Sequence, residues 1–234
     1  MSVQKVEIKG VGPVTLVKSA QNRSLRLTVT TNGIRVSMPR WTPFSAGRAF
    51  AEHHAEWIQR ELAKQSTTQL EAGQRIGKLH HLRFEQILDG KPATSRVTGT
   101  EVVVRLQAGE HIEDPQVQQR AVTAAARALK REAEQLLPPR LRSLSEKHSL
   151  PYKSVSIKSL KRRWGSCDTH RNILFNLYLM DLSWEYIDYV ICHELTHTVH
   201  MNHGPEFWKL LTQLNPRARD ISRQLKHHQP VVGN

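Results

Sequence analysis

The stretch V190-I-C-H-E-L-T-H-T-V-H-M-N-H-G-P-E-F-W208 places His193, Glu194, His197, His200 and His203 within eleven positions of an otherwise mostly apolar segment. Buried polar groups cost free energy unless something satisfies them, so this density of imidazole and carboxylate asks for a partner. His193-Glu194-Leu195-Thr196-His197 has the form H-E-x-x-H. On a helix, residues four apart share one face, and two imidazoles there can reach a single ion. Such a site, with an open position for water, has the character of catalytic zinc. Glu194 stands one residue on, where a carboxylate can act on the water without ligating the metal.

A third ligand is required, and His200 and His203 compete for the role. His200 lies seven residues after His193, about 10.5 Å along a straight helix axis. Metal–nitrogen bonds of about 2.0–2.1 Å cannot bridge that span. His203 escapes the limit if the chain turns near Asn202, a residue that tolerates left-handed backbone, before Gly204-Pro205 starts a new helix. The spacing therefore favours His203. In the pattern H-E-x-x-H-x-x-G-x-x-H a glycine breaks the helix after the second histidine. His200 occupies that position here, so the helix is expected to run further before turning.

Upstream of the motif, Tyr186, Ile187, Tyr189, Val190 and Ile191 predict a helix held by the core, starting near Ser183 as N-cap. The segments 153–160 and 172–179 alternate as strands, joined by the loop K161-R-R-W-G-S-C-D-T-H-R171. Within that loop Arg162 and Arg163 are candidates to grip substrate or stabilise an oxyanion. Asn176 is a candidate to orient a substrate backbone. Cys167 is a weaker candidate to line the site. Cys192 points about 100° away from His193 and belongs to the core. The pairs His53-His54, His80-His81 and His227-His228 lack ligand spacing and are expected at the surface.

The rest of the chain divides in two by pattern. Residues 116–149 form a long Ala-, Leu- and Arg-rich helical pattern, with a break or kink expected near Leu137 at Pro138-Pro139. Before it, residues 6–18 and 24–39 read as strands, the second run folded at Asn32-Gly33. A helix follows over 46–64 with Phe50, Trp57, Ile58 and Leu62 as its apolar stripe. Residues 78–88 and 101–107 predict a second hairpin, with Asp89-Gly90 or Gly99 in its turns. The expectation is an α+β chain: a β-rich region over 1–114 and a metal-binding domain over 115–234. No internal repeat is visible, and the tail from His227 is expected to fray.

Composition sets the outer bounds. No apolar run is long enough to span a bilayer. The opening M1-S-V-Q-K-V-E-I-K-G10 lacks the apolar core of a secretory signal, and two cysteines make no disulfide framework. A cytoplasmic location is the expectation. The net charge of +13 and pI near 10.1 leave nucleic acid or a nucleotide open as partners.

Together, R162-R-W-G-S-C167, N172-I-L-F-N176, I187-D-Y-V-I-C-H-E-L-T-H197 and M201-N-H-G-P-E-F-W208 resemble the YgjP-like family of metal-dependent hydrolases, related to SprT-like zinc peptidases. Weaker echoes lie in R23-S-L-R-L-T-V29, V36-S-M-P39 and W57-I-Q-R-E-L62, so the likeness spans most of the chain. The resemblance implies a zincin-like core packed beside a small sheet. In it His193, His197 and His203 hold zinc (nickel, iron or cobalt being alternatives), Glu194 is the base and His200 lies outside the ligand set. It leaves two reactions open: peptide hydrolysis, and phosphoanhydride hydrolysis of a nucleoside triphosphate.

Overall fold

The computed structural model describes residues 2–30, 33–66, 69–87, 92–226 and 228, and the fold is α+β. Two compact units divide at Gln69-Leu70, so the break expected at 114/115 falls inside the second unit.

In the first unit, strands β1 (Ser2–Ile8), β2 (Gly12–Ser19), β3 (Arg26–Thr30) and β4 (Gly33–Pro39) form a sheet in the order β1-β2-β4-β3. β2 and β4 run parallel, each flanked by an antiparallel partner. Period-two alternation puts Val14, Leu16, Ile34 and Val36 on the buried face. The β3–β4 pair is the expected hairpin. Gly33 sits at φ 108°, a conformation that favours glycine, while Asn32 lies outside the described residues. The single helix expected over 46–64 is instead two, α1 (Phe44–His53) and α2 (Ala55–Ser66). At the junction His54 bonds the Phe50 carbonyl with both its N–H and its ring Nδ1, at 3.3 and 2.8 Å. That local side-chain bond competes with continuous helix. Ile58 is buried as expected, whereas Trp57 is exposed; the Leu62 side chain lies outside the description.

The second unit begins with β5 (Arg75–Ile76), β6 (His80–Gln86), β7 (Ser95–Val97) and β8 (Glu101–Leu106), in the order β5-β6-β8-β7. Residues 78–88 and 101–107 are therefore not a hairpin: β6 and β8 run parallel, because β7 intervenes and turns back on β8 around Gly99. Asp89-Gly90 lies outside the described residues. Order and directions repeat those of the first sheet, a repeat of topology that the sequence does not display.

Helix α3 (Pro115–His148) packs on this sheet, and its buried Ala121, Ala124, Ala125, Ala128 and Ala133 join one core with the sheet's Leu82, Val102 and Val104. Of the break or kink expected at Pro138-Pro139, the break does not occur: one helix continues through both prolines. Leu137 and Leu141, on either side of the prolines, are fully buried, and that burial offsets the missing N–H groups. The Glu132 carboxylate on α3 is buried. It accepts from the N–H groups of Lys78, Leu79 and His80 at 2.6, 2.8 and 3.2 Å and from His80 Nδ1 at 2.6 Å. His80 is thus a core residue rather than a surface one. The same turn sends Lys78 Nζ to the carbonyl of Leu182, just ahead of the helix that carries the histidine motif.

A three-stranded sheet follows: β9 (Ser154–Lys158), β10 (Gly165–Cys167) and β11 (Asn172–Asn176), ordered β10-β11-β9 with β10 at an edge. A 3-10 turn (Leu177–Asp181) leads into α4 (Trp184–His197), then α5 (Pro205–Leu214) and α6 (Ala218–Leu225). Ser183 is the N-cap of α4 by position, without a side-chain capping bond. Helix α6 was not foreseen. Its signal is the spacing of Ala218, Ile221 and Leu225, all buried.

Candidate metal centre

Helix α4 ends earlier than expected. The hydroxyls of Thr196 and Thr198 bond the carbonyls of Cys192 and Leu195, each at 2.7 Å, and the N–H of Thr198 turns to Leu195 at 3.0 Å. The chain leaves the helix after His197, so His200 lies beyond it, and Asn202 does not adopt positive φ. Gly204 and Pro205 then open α5, with Pro205 in the first turn.

This geometry folds His203 back onto α4. His193 Nε2 and His203 Nε2 are 3.1 Å apart, and one ligand atom from each of His193, His197 and His203 lies within 4.8 Å of the others. Two nitrogens sharing a tetrahedral ion at about 2.05 Å would stand about 3.4 Å apart, so the set is of the right size. Phe207, wholly buried on α5, packs its ring centroid 5.0, 4.7 and 4.6 Å from those of His193, His197 and His203. It serves as a common floor to the three rings. His197 Nδ1 donates to the carbonyl of His200 at 3.0 Å, which leaves Nε2 as its free nitrogen. His200 enters the site through its backbone, not its ring.

Burial, then the neighbouring His197 and His203, pushes His193 down to about 3, and burial lowers His197 as well. Both imidazoles are neutral at pH 7, the form that ligates a metal. Burial pushes Glu194 up to about 8, against a smaller opposite effect of Arg163. Its Oε2 is buried with no hydrogen-bond partner. An orphaned buried carboxylate oxygen beside three converging imidazoles suits a divalent cation and a water proton, so the residues present fit a bound metal.

Gly165, at the start of β10, is the neighbour of Glu194 that sequence reasoning passed over. A Cβ there would lie 2.7 Å from Glu194 Oε1 and 2.9 Å from its Cγ. Arg163 is exposed, yet its charge is felt at Glu194; Arg162 is exposed, and nothing in the structure ties it to the histidines. Asn176 is fully committed elsewhere. Its Nδ2 donates to the carbonyls of Leu160 and Arg163, both at 2.9 Å, and its Oδ1 accepts from Leu160 and Tyr178. It holds the 160–163 loop in place of the substrate contact expected of it. Burial, then Glu194, raises the half-buried Cys167 to about 11, so it stays a thiol.

The family model for the YgjP-like metallopeptidase domain matches residues 23–228. The chain belongs to the YgjP-like family. Two solved structures are similar to parts of this YgjP-like protein, both metallopeptidase zymogens. Abylysin of Pyrococcus abyssi is 22% identical with a TM-score of 0.34, covering 36% of this chain and 87% of its own. Jannalysin of Methanocaldococcus jannaschii is 20% identical with a TM-score of 0.33, covering 37% and 89%. No curated protein matches this YgjP-like chain. Membership makes it a metal-dependent hydrolase of the metallopeptidase kind. No described helix is long and apolar enough to cross a membrane.

Proposed function

We propose that this YgjP-like protein is a zinc-dependent peptidase in which His193, His197 and His203 hold the ion and Glu194 is the general base. The observation that carries the reading is the convergence of three imidazoles beside a buried, unpartnered carboxylate oxygen. Three imidazoles suit zinc, and nickel, iron and cobalt also accept them. When bound, the ion supplies Lewis-acid polarisation and lowers the pKa of water toward about 7.

The chain's own residues do the rest. Glu194 takes the proton of the attacking water through Oε2 and returns it to the leaving amine. Gly165 leaves the space in which that carboxylate sits. Arg163 contributes positive charge toward the developing oxyanion. Edge strand β10, beside Glu194, offers backbone groups with which an extended peptide can pair.

The phosphoanhydride alternative has less behind it. The family is a peptidase family, and among the described residues no carboxylate cluster for magnesium accompanies the three histidines. Family membership gives no support to nucleic acid as partner either. Two free cysteines suit a reducing compartment such as the cytoplasm.

The test is an assay against an unfolded protein substrate and a panel of nucleoside triphosphates, with chelator and with zinc restored. Peptide-bond cleavage that stops with chelator and returns with zinc is the expected result. Cleavage confined to the triphosphates would refute the peptidase reading.

A further inference from the structure

The two α4 histidines are held by different means. His197 has a backbone carbonyl on Nδ1. His193 presents Nε2 to His203, so for Nε2 to ligate, its Nδ1 must carry the proton and have an acceptor for it. The oxygen that faces that nitrogen is Tyr189 Oη, at 3.5 Å. Tyr189 lies one turn earlier on α4, is 5% exposed, and packs its ring centroid 5.8 Å from that of His193. Its hydroxyl has a second partner, the Ser222 side chain on α6.

We propose that Tyr189 and Ser222 form a positioning relay that fixes the tautomer and ring angle of His193, and so tie metal affinity to the docking of α6. The inference rests on the metal-centre reading above and adds residues to it. In the relay His193 Nδ1–H donates to Tyr189 Oη, and the Ser222 hydroxyl bonds the same oxygen and holds it in place. Helix α6 is held to α4 at two further points: Arg217 pairs with Glu185, and Tyr186 Oη donates to Gln224 at 2.7 Å. Ser222 therefore stands on a helix already fastened to the ligand helix, which is what a relay partner needs to keep its position. The 3.5 Å separation stands at the long end for a hydrogen bond, as is common for such bonds before the site is loaded.

Tyr189→Phe removes the oxygen and keeps the ring, and Ser222→Ala removes the far end alone. Two readouts on the full chain separate the relay from a packing role. The first is zinc affinity by competition with a chromophoric chelator. Outer partners of ligating histidines are commonly worth about 10–100-fold in affinity. Tyr189→Phe is expected to weaken zinc at least tenfold, and Ser222→Ala by a smaller factor. The second is the nitrogen-15 shift of the His193 ring in metal-free protein. Wild type should hold the Nδ1–H tautomer, and Tyr189→Phe a mixture, with His197 unchanged in both. Unaltered zinc affinity together with an unaltered His193 tautomer overturns the relay. If wild type binds no zinc, the metal-centre reading fails, and the tautomer comparison still decides whether Tyr189 orients His193.

Discussion

Replacing Glu194 with Gln is expected to lower peptide hydrolysis by about 10²–10⁴-fold, the range for loss of a general base, with the bound metal retained. Glutamine keeps the shape and removes the proton acceptor, and Glu194 is outside the histidine set whose nitrogens converge. The same substitution has a second, separable effect on the metal-free protein. Burial holds the Glu194 carboxyl protonated up to about pH 8, while the unfolded chain releases that proton near 4.5. Between those values the native state binds the extra proton, so this group makes stability fall as pH rises. The neutral amide of Glu194→Gln does not titrate, which removes that penalty. Metal-free Glu194→Gln should therefore be the more stable protein at pH 8, by roughly 3–5 kcal/mol. The gap should close as pH falls toward 4.5. His193 acts in the opposite sense, its depressed value costing stability as pH drops below 6.5, but it is common to both proteins and cancels in the comparison. Urea titrations of both proteins at pH 5, 6.5 and 8 measure the effect; equal midpoints at pH 8 would show Glu194 to be ionised and satisfied.

Gly165→Ala is expected to do comparable damage from the other side of the carboxylate. Gly165 is not at positive φ, so the cost of a side chain there is steric rather than conformational. The added methyl would stand 2.7 Å from Glu194 Oε1 and 3.0 Å from Cδ, closer than side chains settle. Glu194 is buried, so the carboxylate can yield only by leaving its place. Turnover should fall at least tenfold with zinc retained, and overpacking should destabilise the fold by about 1–3 kcal/mol. A double-mutant cycle identifies the cause. In a Glu194→Ala background the methyl has room, and the stability cost of Gly165→Ala should largely vanish. An undiminished cost would place the clash elsewhere.

The histidine cluster was legible because its signal is local. H-E-x-x-H fixes two imidazoles on one helical face, and Gly204-Pro205 announces the new helix that brings His203 back. What was illegible depends on contacts distant in sequence or on small local competitions. The early end of α4 comes from two threonine hydroxyls bonding its carbonyls, a choice that helix propensity does not reveal. His80 read as a surface residue because its partner, Glu132, lies 52 positions away. Gly165 looked like an ordinary loop glycine because its constraint is a carboxylate on another element. The parallel pairing of β6 with β8 turned on the three-residue strand β7, too short to register as alternation. Continuity of α3 through Pro138-Pro139 reflects tertiary burial of Leu137 and Leu141 overriding a local breaker.

The central claim is that His193, His197 and His203 form one metal centre. Its most direct test is equilibrium dialysis of zinc against wild type, His193→Ala, His197→Ala, His203→Ala and His200→Ala, with metal counted per chain. The account predicts about one zinc per wild-type chain, retained by His200→Ala and lost from each of the other three variants. Retention of zinc by His203→Ala together with its loss from His200→Ala would contradict it.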